Sequence, residues 1–381
     1  MVVNSLIYLS FIFLSFGQIG RLSLVDRPVN IYLYEITVIL LIVFFFFKYK
    51  FKLAVVYLRK FNSIFIFFSA LLLSWLLNMG NYHLSETFIG FLYFLRVMVY
   101  FLFFIYLQIY LKQNKNKIIL LNGVDIFILI TVVFSLIQYF LYPDLRNLFY
   151  LGWDPHLYRL FGLFFDTSIS GAIFGLIFLY ISFGRPQMNK YQRWAILLIY
   201  FIFIALTFSR SLYLAFFITL FLSLFRKTSF KFIIFYLLLF IFLLIIIPKP
   251  SGEGVNLRRI FSVESRKANY LQAVDLWRKS PIFGIGYNHI RYAKIKANIQ
   301  QDNLAINHAG ASFHSSFLIM LVSGGVIGLI LFIYILYQLA ITSRLSLILI
   351  LFLSLLSLSD NIILHPFVLI LFLTISSLSG M

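Results

Sequence analysis

Runs of about 18–20 apolar residues recur along this chain, and a helix of that length crosses the hydrocarbon core of a bilayer. The runs are continuous rather than alternating, so they read as helices and not as strands of a barrel. A helix also satisfies its own backbone hydrogen bonds, which lipid cannot do. Composition agrees: 62% of the 381 residues are hydrophobic and 11% are charged, against roughly 25% charged in a soluble domain. The expectation is an all-α polytopic integral membrane protein with about 12 transmembrane helices. They are placed near residues 3–20, 29–47, 61–78, 88–111, 118–142, 162–183, 194–208, 211–225, 232–248, 313–338, 345–359 and 361–380. The pair 194–208 and 211–225 is short and almost directly joined, which predicts tilted or broken helices. The first run lacks a basic leader and a small-x-small cleavage site, so it reads as a retained helix.

Charge sets the orientation. With the N-terminus inside, the stretches on that side carry 15 Lys/Arg, among them Lys48, Arg59, Lys112, Arg185, Arg193, Arg226, Lys227 and Arg344. The short loops on the other side carry five, Arg21, Arg27, Arg146, Arg159 and Arg210. The positive-inside rule then puts both termini in the cytoplasm. Much of the net charge of +19 is therefore topogenic, and it gives no reason to expect nucleic acid.

This layout divides the chain into three parts. Residues 1–248 form an N-terminal transmembrane bundle of about nine helices. Residues 249–312 form a large outer loop, and residues 313–381 carry the C-terminal transmembrane helices. The loop holds ten Lys/Arg against four acids, Glu253, Glu264, Asp275 and Asp302. A loop this long is nearly exempt from the orientation rule, so its positive balance has another cause. Anionic headgroups are one reading and an anionic substrate is another. Within it, RKANYLQAVDLWRK puts Tyr270, Val274 and Trp277 on one helical stripe, and Ser280-Pro281 ends that helix. An amphipathic helix lying over the membrane core is expected.

Cysteine is absent, which excludes disulfides, a thiolate nucleophile and cysteine-based metal sites. Four polar islands fall on the outer face. They are RLFGLFFDTSISG (159–171), TFSRS (207–211), the loop helix with its glycine turn (266–288), and HSSFLIMLVSGGVIGL (314–329). Each has an ordinary structural reading. Arg159 is able to snorkel to headgroups. Asp166 suits a helix N-cap. Gly324, Gly325 and Gly328 suit close helix packing. Arg210 is harder to dismiss, because it sits in a tight turn between apolar runs where an unpaired charge is costly. Arginines from separate islands facing one compartment are able to converge on phosphate, whose oxygens match the guanidinium fork. A nearby His is able to take a proton near neutral pH. The outer acids show no DxD and no adjacent pair, which disfavours metal-assisted chemistry.

In order and spacing, RLFG, FSR, RKANYLQAVDLWRKSPIFGIG and HSSFLIMLVSGGVIGL resemble the motifs of the O-antigen polymerase and ligase superfamily of bacterial membrane glycosyltransferases. The resemblance covers about half the chain; the N-terminal half is similar in topology only. The family often has His-Asn at the re-entry, where this chain has His314-Ser315. The resemblance implies a GT-C-like fold and an active site on the periplasmic face of the bacterial inner membrane. It implies a metal-independent glycosyltransferase without a separate cofactor. The donor would be an oligosaccharide on undecaprenyl diphosphate, and the acceptor another lipid-linked glycan. His314 would be the catalytic base, and Arg210 and Arg266 would grip the diphosphate. Arg159 and Arg278 are further candidates for substrate binding. A repeat-unit polymerase for O-antigen, capsule or exopolysaccharide is favoured over a ligase acting on lipid A-core. A flippase is the alternative from another class, but the repeated halves expected of transporters are not found. A chain-length regulator and a flippase are candidate partners.

Overall fold

The computed structural model describes residues 2–23, 29–60, 62–112, 114–151, 153–224, 230–247, 253–257, 261–297, 299 and 312–379. Arg27, Arg226, Lys227 and Asp302 lie outside the described residues. The chain folds as helices α1 (Val2–Ser15), α2 (Leu33–Lys60), α3 (Asn62–Leu77), α4 (Leu84–Tyr110), α5 (Asn114–Leu141), α6 (Thr167–Gly184) and α7 (Lys190–Leu206). After these come α8 (Arg210–Leu224), α9 (Phe230–Ile246), α10 (Phe261–Trp277), α11 (Ile290–Lys296), α12 (Ser316–Ala340), α13 (Arg344–Ser357) and α14 (Pro366–Ser379). A short antiparallel hairpin, β1 (Arg21–Ser23) with β2 (Asn30–Tyr32), joins α1 to α2.

Each of the twelve apolar segments coincides with a helix, and α10 and α11 are two more inside the long loop. This is an all-α fold of the membrane type. Among the described residues, five helices are long and apolar enough to cross a bilayer by length and composition. They lie at 62–81, 84–110, 116–141, 167–184 and 316–340. The other apolar helices are shorter, or carry charges over part of their length as α2 does.

Several segments begin later than their hydrophobicity predicts, and all of these late starts lie at one end of the bundle. Residues 30–32 are strand rather than helix. Residues 162–164 are a 3-10 turn, because Gly162 and Phe165 adopt positive φ and Asp166 then caps α6. Entry to α12 is delayed to Ser316 by an N-cap at Ser315. Entry to α14 waits for Pro366, a residue suited to the first helical position. Irregular backbone at membrane depth is tolerated only where protein or a water-lined cavity surrounds it. Here it gathers the polar residues that the apolar runs had hidden.

The core is one apolar cluster running through the bundle. In it α6 packs on α7 and α13, α3 on α12, α1 on α2 and α5, and α4 on α14. The face of α6 from Ile169 to Ile181 is buried throughout, which makes it the central helix. One ion pair is sealed inside, Arg96 Nε to Glu35 Oε1 at 2.8 Å. Burial is costly for both charges unless each is fully bonded. Glu35 also accepts from Tyr32 N at 2.9 Å and from the Tyr100 hydroxyl, and Arg96 donates to Asn30 O.

The described part of the long loop docks on the start of α12 with a small core of its own, built from Ala273, Leu276, Ile285, Ile290, Phe313, Ile319 and Val322. The buried stripe of α10 is Ala273 and Leu276, with Tyr270, Val274 and Trp277 only half-buried. The contact with α12 is close. Ile285 N donates to Val322 O at 2.9 Å, Gly286 N to Ser323 O at 3.1 Å and Val326 N to Pro281 O at 2.9 Å. These bonds require α12 to open at Gly325, where φ is 65° and ψ −166°. Only glycine adopts that backbone freely, and a Cβ there would collide with the Ile282 carbonyl. So Gly325 is a break that admits the loop rather than a helix-packing glycine, while Gly324 and Gly328 do face Leu71 of α3.

Candidate functional site

The irregular end of the bundle holds two polar corners. The first is centred on Asp360, in the α13–α14 connection. Asp360 Oδ2 lies 3.6 Å from Arg266 Nη2, and its Oδ1 lies 3.6 Å from His314 Nδ1. Ser168, in the first turn of α6, donates its hydroxyl to the same carboxylate. Burial raises a carboxyl, but here His314, Arg266 and Ser168 outweigh it and hold Asp360 below its ordinary value. All three side chains keep contact with solvent: 30% of Arg266, 34% of His314 and 20% of Asp360 are exposed.

The sequence fixes this corner through α10 and the cap of α12. One turn after Arg266, Asn269 Oδ1 accepts from His314 N at 2.8 Å, so one helix positions both groups. Ser315 Oγ accepts from Leu318 N and donates to Ser357 O at 3.0 Å. Ser316 Oγ donates to Asn361 Oδ1 at 3.1 Å. The start of α12 is thereby tied to the chain on both sides of Asp360. Lys294 braces the approach: its buried Nζ donates to Ser312 O at 2.6 Å and lies 4.3 Å from the Phe313 ring centroid. Burial lowers this amine to about 8.

The second corner is centred on Arg159, which is 7% exposed. Its Nε donates to Thr207 O at 2.8 Å and its Nη2 reaches Phe208 O at 3.4 Å. Its Nη1 lies 3.4 Å from His156 Nδ1. The guanidinium therefore clamps the turn between α7 and α8. Arg210 opens α8 just beyond that turn, and its Nη1 donates to Leu257 O at 3.2 Å. Three of the four described non-glycine residues with positive φ mark this corner: Tyr158 at 53°, Phe165 at 57° and Phe208 at 48°. They adjoin Arg159 and Asp166 and lie two residues before Arg210. Such conformations are held only where the surroundings over-determine them, and they gather at functional sites.

Exposed Asp154 links the corners, within electrostatic reach of His314, Asp360 and Arg159. Asp166 caps α6 as its position suggested, accepting from Ser168 N at 2.6 Å and Ile169 N at 3.1 Å. Burial, with Asp360 and Asp154 nearby, pushes its carboxyl up to about 7. The outer acids thus converge in space although nothing in their sequence spacing pairs them. Among the described residues, no group of three or more His, Asp or Glu is arranged to hold a metal ion.

The structure brings Arg266 and His314 together and sets Arg159 beside the turn that carries Arg210. It places Arg278 apart, on the exposed surface, 3.6 Å from Asp275 one turn back. Among the other described histidines at this end, burial lowers His289 to about 4 and His365 to about 3, which leaves both as weak bases. Sequence reasoning passed over Asp360, Ser168 and Asn269. A signal for Asp360 existed: it is the only acid after Asp302, set between two apolar runs, and such a charge is costly unless it has a role.

The family model described as O-antigen ligase matches residues 195–333. That region contains Arg210, Arg266, Arg278 and His314, and leaves Arg159 and Asp360 outside it. No curated protein matches the chain. The matched region, residues 195–333, holds three of the four motifs read from the sequence, in their order, and over that stretch the chain is similar to the O-antigen ligase family.

Proposed function

We propose that this protein is a bacterial inner-membrane glycosyltransferase with both termini cytoplasmic and its polar end facing the periplasm. It transfers a glycan from undecaprenyl diphosphate to the hydroxyl of a lipid-linked acceptor, and so polymerises repeat units. The observation that carries this reading is the meeting of Arg266 and His314 on Asp360, at 3.6 Å each. With Nδ1 turned to Asp360, Nε2 of His314 is left to take the acceptor proton. The acceptor oxygen then bonds to the anomeric carbon, and the bond from that carbon to the diphosphate oxygen breaks. The electron pair leaves with the lipid diphosphate. Negative charge grows on that oxygen, so fixed guanidinium groups lower the barrier. Arg266 and Arg210 are assigned that role. Asp360 stabilises the imidazolium as it forms, the part a carboxylate plays beside a base in a triad. A carboxylate already facing Arg266 and His314 is a poor metal ligand, so transfer is expected to survive chelation. A ligase reading is supported by the description of the matching family, O-antigen ligase.

Glycans from a deletion strain separate the two readings. Polymerase loss leaves single repeat units on the final acceptor, and ligase loss leaves long chains on undecaprenyl diphosphate. Orientation is tested on the native cysteine-free background. Leu271 is 60% exposed and Tyr191 84% exposed. In intact cells an impermeant thiol reagent is expected to label Leu271→Cys and not Tyr191→Cys. The reverse pattern overturns the placement of the site.

A further inference from the structure

At the end of the bundle opposite His314, the last turns of α6 and α8, the first turns of α7 and Tyr236 of α9 enclose a cavity of about 450 Å³. Ligand sites commonly occupy about 300–1,000 Å³. The walls are of two kinds. Leu197 and Leu220 line the inner part and are buried, and Tyr236 closes one side. Lys190, Arg193 and Trp194 line the mouth. Arg193 is partly engaged, donating to Ser182 O at the end of α6. Lys190 is exposed and makes no hydrogen bond or ion pair among the described residues. No acidic side chain lines the cavity among the described residues. Arg185, next in sequence to the lining residue Pro186, is paired with Asp125 at 3.1 Å.

Two cations and an indole at the mouth of an apolar slot match one ligand chemistry, a phosphate carried on a hydrocarbon chain. Basic pockets between helices on the cytoplasmic side take anionic headgroups. Trp and Tyr favour that depth because their rings are apolar at one end and polar at the other. Lys190 and Arg193 precede the region that matches the family, so nothing in that match assigns them a role. We propose that this cavity binds an anionic glycerophospholipid of the cytoplasmic leaflet, with its phosphate on Lys190 and Arg193 and an acyl chain against Leu197 and Leu220. The site rests on the bilayer placement proposed above and is independent of the transfer chemistry.

The test is native mass spectrometry of the delipidated full-length protein, titrated separately with phosphatidylglycerol, phosphatidylethanolamine and inorganic phosphate. Phosphatidylglycerol is expected to be retained at least roughly fivefold more strongly than phosphatidylethanolamine, the effect of about one lysine–anion contact near a membrane. Lys190→Glu removes that preference. It leaves the thermal midpoint of the lipid-free protein unchanged, because the side chain is exposed. Leu220→Trp fills the slot and lowers retention of both lipids. His314→Ala, at the far end, leaves retention as in the wild type even if it abolishes transfer, so the two readings fail separately. Equal retention of the two lipids overturns the proposal, as does unchanged preference in Lys190→Glu. Binding of inorganic phosphate without lipid retention overturns it too, by assigning the cations to a free anion.

Discussion

Arg159 and Arg266 belong to the same outer end of the molecule, yet their surroundings differ in kind. Arg159 is sealed, and its donors face the Thr207 and Phe208 carbonyls. Arg266 is 30% exposed and faces a carboxylate it shares with a histidine. A guanidinium committed to main-chain carbonyls fixes a turn and has little left for a ligand. One at 3.6 Å from its counter-charge, at a solvent-accessible position, is able to move toward a phosphate. On the proposed reading, partner chemistry and exposure separate an arginine that builds the site from one that acts in it.

The largest expected effect sharpens the second environment. His314→Ala is expected to lower turnover by about 10²–10⁴-fold, the usual contribution of a general base. Donor binding and thermal midpoint should stay at wild-type values, because the ring is one-third exposed and caps nothing. Asp360→Asn keeps the shape of the group but removes the charge that stabilises the imidazolium, so turnover falls and its pH profile shifts. Near-wild-type single-turnover rates in His314→Ala would end the base assignment. Chelator-sensitive transfer, restored by Mg²⁺, would end the arginine assignment.

A direct comparison of the two arginines comes next. Arg159→Lys leaves buried carbonyls without donors, each costing about 1–3 kcal/mol. Its expected phenotype is loss of folded protein in detergent. Arg266→Lys keeps the charge and loses the fork. It should fold normally and slow transfer by at least roughly tenfold, the equivalent of losing one hydrogen bond to a charged group. If Arg159→Lys folds normally but binds lipid diphosphate weakly, the division between the two corners is wrong.

The contrast also shows what was legible beforehand. Each apolar run reads directly as a helix, because lipid leaves the backbone no other partner than itself. The break at Gly325 is invisible to hydropathy, because its cause is the IFGIG turn, about 40 residues earlier in the chain, inserting its backbone into α12. The buried stripe of α10 is set by which face meets α12, a tertiary choice that three scattered apolar residues could not fix. His314 stands out where the loop re-enters an apolar run, whereas Arg266, one of ten Lys/Arg in the loop, is singled out only by its place in the motif that resembles the family. Asp360 was hidden in a short connection, and its significance comes only from the α10 and α12 residues that face it. The ion pair Arg96–Glu35 shows the same limit: the partners are 61 residues apart, with no periodicity to join them.

A smaller effect tests the acids around the site by pH. Asp166 is raised from its ordinary 3.8 to about 7. The folded protein therefore keeps that proton after the unfolded chain has lost it, and wild-type stability falls as pH rises between those values. Asn caps a helix about as well as Asp and has no charge to set against Asp360 and Asp154. Asp166→Asn is thus expected to gain thermal midpoint over wild type progressively from pH 4 to pH 8. A difference that does not change with pH would mean the carboxyl is ionised throughout and hydrated.

The smallest expected effect is that of Arg278→Ala. Arg278 and Arg266 lie on or just past one helix, twelve residues apart in the sequence, so about 18 Å separates them along its axis. Arg278 is 71% exposed, and its partner Asp275 is 69% exposed. An exposed pair of this kind contributes at most about 1 kcal/mol, and screening by salt shrinks that further. Turnover within about twofold of wild type and an unshifted midpoint are expected, since less than about 1 kcal/mol is at stake. Reversing the charge with Arg278→Glu should add only a small, salt-dependent loss of donor affinity, because the carboxylate would repel a diphosphate at long range. A loss of tenfold or more in Arg278→Ala, with Arg266→Lys nearly active, would move the diphosphate from the Asp360 corner to the far end of α10. In that event exposure and partner chemistry would no longer distinguish the arginine that acts.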